Sequence, residues 1–370
     1  MTKNPLPVHL VTGLLGSGKT TCLKHLIQQK PSSENWLILI NEFGEVDIDA
    51  SQLSSLVADN ATQSQSLNIQ AVSGGCICCT AQLGLVNTLN QVLSQAHQSI
   101  NRIWIEPTGL GHPAKIIDAL QNSAFVQPLD LQKISCIITP QQLTPQRWQK
   151  SAVMRDLVQL ADCIILNKTD LSSEDEQSQA LKILTECYPP KNEVIKTQHS
   201  AVEIDCLLQS RKPKGLTLLS QSTTNTLHFV HEEESSHTIQ TANIQKNYTS
   251  AIPNTLQCFL STNKTLTPLN MGWIWAPSVQ FKRTEIKTFF EAIAPKLIRA
   301  KGILKTGNEW QLINWSEGQL SFEDIAWRED SRLECLFDDQ YGEASCTASF
   351  TASFTANQLE KQLIKTIHTY

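Results

Sequence analysis

An apolar run, Val8–Thr12, passes through Gly13-Leu14-Leu15-Gly16-Ser17-Gly18-Lys19-Thr20 into a helical stretch, Lys19–Gln29, and this order constrains the chain more than any other feature. The octapeptide matches G-x-x-x-x-G-K-[ST], the phosphate loop that joins a strand to a helix. Glycines at 13, 16 and 18 let the backbone fold into a nest of N–H groups, and the helix N-terminus adds its positive dipole. Lys19 is then expected to reach the β- and γ-phosphates of a nucleotide, with the Thr20 hydroxyl on Mg²⁺. The plain alternative is a glycine-rich turn with a solvated lysine, which the strand before and the helix after argue against.

The flanking pattern agrees with that loop. Short apolar runs at Val8–Thr12, Trp36–Asn41, Ile103–Glu106, Ile134–Thr139, Cys163–Asn167 and Val194–Thr197 alternate with helical stretches at Lys19–Gln29, Ala81–Ala96, Pro113–Asn122 and Arg147–Leu160. A further helix is expected from Ser173, where Ser173 and Glu176 form a capping box, and it should stop before Pro189-Pro190. The alternation predicts an α/β fold, a mostly parallel sheet with helices on both faces, over residues 1–200. Residues 201–255 turn polar and read as a linker. Residues 256–340, with a helix at Thr284–Ala294 between strands, predict a smaller α+β domain. Residues 341–370 read as a tail ending in an amphipathic stretch, Asn357–Ile367, expected to be a loosely held helix.

Two more strand ends carry polar signals. Asn167-Lys168-Thr169-Asp170 matches the N-K-x-D guanine motif. An Asp170 carboxylate can accept from guanine N1–H and the 2-amino group, Asn167 can meet the N7/O6 edge, and the Lys168 stem can lie over the base. A wrong base would leave the carboxylate unpaired, which discriminates strongly. Ile103-Trp104-Ile105-Glu106-Pro107-Thr108-Gly109 ends an apolar strand in a carboxylate, so Glu106 is a candidate Mg²⁺ holder and Gly109 a candidate N–H donor to a γ-phosphate. Asp47 or Asp49 can complete the Mg²⁺ shell.

Of the eleven cysteines, Cys22, Cys136, Cys163, Cys187, Cys206 and Cys258 lie singly in apolar or helical stretches and read as small buried hydrophobes. Cys76, Cys78 and Cys79 differ. Three thiols in four residues are poor core packing, and thiolates favour Zn²⁺, Cu(I) or Fe–S clusters. Two or three thiolates are expected on one ion, the rest of the shell coming from Glu45, His112 or water. A helix N-terminus just downstream would lower the thiol pKa. A vicinal disulfide or inert cysteines are the alternative. His231 and His237 flank three glutamates and read as a solvated charged loop.

A formal net charge of −5 and the lack of a basic cluster argue against nucleic-acid binding. No run approaches the roughly 18 apolar residues of a membrane span, and the N-terminal residues lack a signal-peptide apolar region. A cytoplasmic protein is therefore expected.

Taken together these residues resemble the CobW-type P-loop GTPases, including their zinc metallochaperones. Gly13–Thr21 is similar to that family's phosphate loop, which adds Thr21 to the expected nucleotide contacts, and Asn41-Glu42-Phe43-Gly44-Glu45 to its switch I. Gly75-Cys76-Ile77-Cys78-Cys79 is similar to its C-x-C-C metal motif. Glu106–Gly109 and Asn167–Asp170 resemble its Walker B and guanine motifs, and Gly272-Trp273-Ile274-Trp275 its C-terminal domain. The resemblance implies GTP hydrolysis with Mg²⁺, binding of a transition metal such as zinc, and transfer to a client metalloprotein or cofactor pathway. Self-association is left open. One departure stands out: the family commonly carries an Asp after the strand ending at Ile138, where this chain has Thr139-Pro140. A metal or redox sensor acting through partner binding, and a nucleotide kinase, are the competing readings. Phosphate release without an acceptor separates the second, and metal transfer to an apo-enzyme the first.

Overall fold

The computed structural model describes residues 4–40, 67–71, 80–95, 99–107, 113–122, 124–191, 193–209, 211, 216, 228–229, 245–247, 252–261, 269–337 and 356–368. The chain divides into two compact units, Met1–Pro213 with Leu227–His231, and Lys214–Thr226 with Glu232–Tyr370.

The first unit runs β1 (Leu6–Gly13), α1 (Lys19–Gln28), β2 (Trp36–Ile40), β3 (Leu67–Ala71), α2 (Thr80–Gln95), β4 (Arg102–Glu106), α3 (Pro113–Asn122), β5 (Leu129–Ile138), α4 (Pro145–Lys150), α5 (Ala152–Leu160), β6 (Cys163–Leu166), a 3-10 turn (Thr169–Leu171), α6 (Glu174–Glu186), β7 (Glu193–Lys196), α7 (Ile204–Leu208) and β8 (His228–Phe229). The strands form one sheet in the order β3-β2-β4-β1-β5-β6-β7-β8. Every neighbouring pair is parallel. Strands buried on both faces need near-continuous apolar runs, and β2 is buried at all five positions.

Alternation then divides the strand residues between two cores. On one face Ile137, Cys163 and Ile165 pack with Cys22, Leu23, Leu26 and Ile27 of α1 and Leu207 of α7. On the other, Cys136, Ile138, Ile164 and Leu166 pack with Met154, Leu157 and Val158 of α5 and Ala180, Ile183 and Leu184 of α6. Helices thus cover both faces, as the sequence pattern requires. The single cysteines sit in these cores as expected: Cys22, Cys136, Cys163 and Cys187 are buried, Cys206 less so. Burial pushes the Cys136 thiol up to about 12 and the Cys163 thiol well above its ordinary value, which keeps both inert.

From β1 the chain runs out to β2 and β3, returns to β4 beside β1, and only then proceeds to β5 on the other flank. The carboxyl end of β1 is therefore the point where strand order reverses, the place where open α/β sheets bind ligands. Because all strands are parallel, the loops after β1, β4, β5, β6 and β7 gather at one edge.

Some elements differ from expectation. The single helix expected over Arg147–Leu160 is two helices. Thr144 caps the first, its side chain accepting from Arg147 N, with Pro145 at the first turn. Ser151 leaves helical geometry (φ −103°, ψ 102°) and its hydroxyl accepts from Met154 N to start the second. The strand β3 was not expected, because Leu67-Asn68-Ile69-Gln70-Ala71 alternates polar residues on an edge-side strand. The capping box of Ser173 and Glu176 is formed, and α6 ends at Glu186 before the prolines.

The second unit holds an antiparallel sheet of β9 (Gln245–Asn247), β10 (Thr255–Ser261), β11 (Leu269–Trp275), β12 (Leu297–Thr306), β13 (Glu309–Ser316), β14 (Gln319–Asp324) and β15 (Ser331–Phe337), in the order β14-β13-β12-β15-β11-β10-β9. One face packs α8 (Arg283–Ile293), whose Ile286, Phe289, Phe290 and Ile293 recur at helical spacing, against Trp273, Trp275 and Trp315. The stretch expected to be loosely held is instead packed into this core as α9 (Ala356–Thr366). Leu359 and Leu363, one turn apart, are fully buried. Glu360 beside them accepts from Trp273 Nε1 at 3.1 Å, and Lys282 N and His368 N tie the helix backbone to residues 280–282. Buried apolar side chains at i and i+4 hold a helix far more firmly than its own propensity can.

In the first unit, His9 in the middle of β1 is buried and stacks on Trp104 of β4 with ring centroids 4.4 Å apart. Its Nε2 lies 2.8 Å from the Arg102 guanidinium, which pairs in turn with Glu34. Burial first, and Arg102 second, lower the His9 pKa to about 3. The unfolded chain therefore binds the extra proton between the two values. The stability His9 contributes is complete above an ordinary pKa of about 6.5 and is lost as pH falls toward about 3, by up to about 1.4 kcal/mol per pH unit. His9→Phe, which keeps the stacking, should flatten that acid limb. Urea melts at about pH 7 and about pH 4.5 compare the two proteins, and an equal loss in both would remove His9 as the cause.

Candidate nucleotide site

The phosphate loop grows directly out of β1. Gly13 pairs with Ile137 of β5, at φ 145°, and a Cβ there would stand 2.1 Å from the Ile137 carbonyl oxygen. Only glycine lets the two strands close at this point. Gly18 occupies the N-cap of α1 in left-handed geometry, with no side chain capping the helix. The first N–H groups of α1 are thus left without a side-chain cap at an anion-binding helix end. Lys19 is buried, and its Nζ donates to Leu14 O at 3.2 Å, folding the ammonium over the loop.

Around this loop lies a cleft of about 440 Å³ lined by Leu15, Gly16, Gly18, Lys19, Thr20, Thr21, Lys24, Glu106, Asn167, Lys168, Asp170, Leu171 and His199. Four loops supply it. Thr20 Oγ1 donates to Glu106 Oε1 at 3.1 Å, joining the start of α1 to the end of β4. Asn167, fully buried, donates from Nδ2 to Ser17 O at 2.7 Å and accepts at Oδ1 from Ser200 N at 2.7 Å. Lys168, at φ 59°, reaches back to Gly16 O at 2.9 Å. Asp170 is exposed to the cleft in the 3-10 turn after Lys168. Ser17 is buried beneath the loop, and among the described residues its Oγ has no hydrogen-bond partner.

The sequence-derived candidates Gly16, Gly18, Lys19, Thr20, Thr21, Glu106, Asn167, Lys168 and Asp170 therefore line one cleft, with Gly13 and Ser17 in the loop beneath it. Glu45, Asp47, Asp49, Cys76, Cys78, Cys79, Gly109, His112, His231 and His237 lie outside the described residues. Among the described residues, no group of three or more His, Cys, Asp and Glu side chains is arranged to hold a metal ion. Cys22 packs behind the loop, and burial, with the Glu106 charge adding to it, pushes its thiol up to about 12.

The loop after β7 is a part of the site that the motifs did not indicate. His199 and Ser200 both adopt positive φ, 55° and 57°, without glycine. Ser200 Oγ donates to Gly18 O at 3.0 Å, and the Thr197 carbonyl accepts from Thr169 Oγ1 at 3.1 Å. The usable signal was positional: Thr197–Ser200 follows a parallel strand at the same edge as the other three loops.

A parallel sheet that carries such a loop at its strand-order reversal defines a P-loop nucleotide-binding protein. The family model described as CobW/HypB/UreG, nucleotide-binding domain, matches residues 7–196, and the chain belongs to this family. It is similar to the zinc chaperone YeiR of Escherichia coli K12, 36% identical over 195 residues, covering 53% of this chain and 56% of that protein. It is 32% identical over 178 residues to the zinc chaperone YjiA of the same organism, covering 47% and 52%. With zinc-regulated GTPase metalloprotein activator 1 of Schizosaccharomyces pombe it shares 30% identity over 179 residues, covering 48% and 42%. The chain thus spans about half the length of the curated relatives it matches. No helix among the described residues is long and apolar enough to cross a membrane.

A Cβ at position 18 would lie 2.5 Å from both Asn167 Nδ2 and Ser200 Oγ, at φ 108°. Gly18→Ala should therefore push apart the contact that joins the loops and weaken binding of a labelled nucleoside triphosphate by about tenfold or more. Titration of both proteins checks this, and an alanine variant with full affinity would refute the close approach.

Proposed function

We propose that the chain binds GTP in the cleft around Lys19, hydrolyses it to GDP and phosphate, and uses that cycle to control a zinc ion destined for a client metalloprotein. The observation that carries the nucleotide half is the Asn167 bridge. Its amide fastens the phosphate loop at Ser17 to the loop at Ser200. That leaves Asp170, three residues on, at the rim of the same cleft. Its carboxylate would accept from guanine N1–H and the 2-amino group, which adenine does not offer in that arrangement.

Each side chain has a distinct task in this reading. Lys19 exchanges the Leu14 carbonyl for β- and γ-phosphate oxygens, while the N–H groups at the start of α1 receive the anion. The Thr20 hydroxyl and the Glu106 carboxylate are hard oxygen donors 3.1 Å apart, the ligand type Mg²⁺ takes, so they would hold that ion, with Asp49 proposed beside them. When bound, Mg²⁺ neutralises charge building on the transferred phosphoryl oxygens. Gly109, three residues past Glu106, is proposed to donate its N–H to the terminal phosphate and so report hydrolysis.

Zinc is the cargo, and Cys76, Cys78, Cys79 and Glu45 are its proposed ligands. That YeiR and YjiA are zinc chaperones supports the choice of metal. The cysteines stand between β3, which ends at Ala71, and α2, which begins at Thr80. Three strand spacings separate β3 from β1, roughly 14 Å. Five residues from Ala71 to Cys76 can span at most roughly 17 Å, so chain length permits the thiols at the nucleotide edge. A cytoplasmic location goes with reduced thiols.

Two measurements test the halves separately. Asp170→Asn should weaken GTP binding and favour xanthosine nucleotides; undiminished GTP affinity would sink the base assignment. Cys78→Ala should weaken zinc binding by at least about tenfold with GTP affinity retained. Zinc titrations of the reduced chain with GTP or GDP bound should give different affinities, and identical ones would sever the coupling.

A further inference from the structure

A further loop, after β5, touches both the phosphate loop and the Asp170 turn. Its residues Thr139–Gln142 form a closed turn: Thr139 N donates to Gln142 Oε1 at 3.2 Å, Gln142 N donates to Thr139 Oγ1 at 3.3 Å, and Gln142 N also reaches Thr139 O at 3.0 Å. Thr139 is buried, and Leu143, fully buried in the core beside α5, anchors the turn. From this fixed base two side-chain amides reach outward. Gln142 Nε2 donates to Leu15 O at 2.9 Å, and Gln141 Nε2 donates to Leu171 O at 2.5 Å.

Both acceptors line the nucleotide cleft. Leu15 precedes Gly16 in the phosphate loop, and Leu171 follows Asp170. Their side chains are 76% and 70% exposed, so packing does not hold either residue where it is. The carbonyl contacts fasten both to the β5 loop, and Leu171 N adds a bond to Lys168 O at 3.1 Å.

We infer that Gln141 and Gln142 are positioning residues for the nucleotide: one turn sets the phosphate loop through Leu15 and the base-reading carboxylate through Leu171, and so fixes the distance between the triphosphate and guanine subsites. This rests on the reading of the cleft as a GTP site. The two amides act on different ends of the ligand, so their loss has different signatures. Without the Gln142 amide the phosphate loop is less well held, and every nucleotide suffers alike. Without the Gln141 amide the Asp170 carboxylate is less well aimed, and the 2-amino group of guanine counts for less.

Methionine at either position keeps the side-chain length and removes the hydrogen bond without adding charge. Gln142→Met should weaken GTP, GDP and inosine triphosphate by one common factor of about threefold to tenfold, the size of one lost hydrogen bond. Gln141→Met should instead lower the preference for GTP over inosine triphosphate by about threefold. The thermal midpoint of the full chain should stay unchanged in both. Wild-type affinities and preference in both variants would overturn the inference. A lowered thermal midpoint with equal losses for all nucleotides in both variants would overturn it as well, since that marks general loosening. Failure of the unmutated chain to prefer GTP over ATP would overturn the reading of the site, and this inference with it. A wild-type preference that neither variant disturbs overturns the inference alone.

Discussion

One buried amide decides whether the candidate site exists. Asn167 is 1% exposed, and its two polar atoms bind the backbone of loops that are 150 and 33 residues away in the chain. An amide buried this deeply is costly unless both ends are satisfied. Satisfying them requires the phosphate loop and the Ser200 loop to close on β6 together. Gly18 is bound to the same requirement, because any Cβ there would occupy the space of that amide and of Ser200 Oγ. The glycine of the phosphate loop and the asparagine of the guanine motif therefore answer to each other through contact as well as through the ligand.

The sheet makes this meeting cheap. Eight parallel strands carry all their following loops to one edge, and the reversal of strand order at β1 opens a crevice at the centre of that edge. Rigid strand ends then hold the loops after β1, β5, β6 and β7, and the phosphate-loop carbonyls of Leu15, Gly16, Ser17 and Gly18 accept from Gln142, Lys168, Asn167 and Ser200 of the other three. The buried thiols belong to the scaffold. Cys22 and Cys136 sit close to the loop, yet burial raises both to about 12, so neither is a ready thiolate.

Much of this was legible from residue types. A strand–loop–helix order around Gly13–Thr20 leaves little freedom, since the glycines have positive φ and the helix needs its open N-terminus. The apolar runs gave the parallel sheet because strands buried on both faces have nothing polar to alternate with. Where the reading went astray, a local polar group had outweighed periodicity. Ser151 ended one helix and capped the next within an amphipathic stretch that reads as continuous. The α9 helix was underestimated for the opposite reason: amphipathic spacing says that a face is buried but not how well it is packed, and Leu359 and Leu363 meet a core drawn from α8 and the strands β10, β11, β12, β13 and β15.

By itself the sequence determined the chemistry on offer: a phosphate nest, a cation to enter it, a carboxylate at the end of β4, a guanine-type tetrapeptide and a trio of thiols. Each is a run of neighbouring residues, and local backbone geometry suffices to define it. Only the tertiary structure decided which loops share a cleft, that Asn167 joins loops where a base contact was expected of it, and that His199, Ser200, Gln141 and Gln142 belong to the site. His199 lines the cleft, and the other assignments rest on hydrogen bonds between residues 30 to 182 positions apart. No motif encodes such contacts, because they exist only once the sheet has brought its strand ends together.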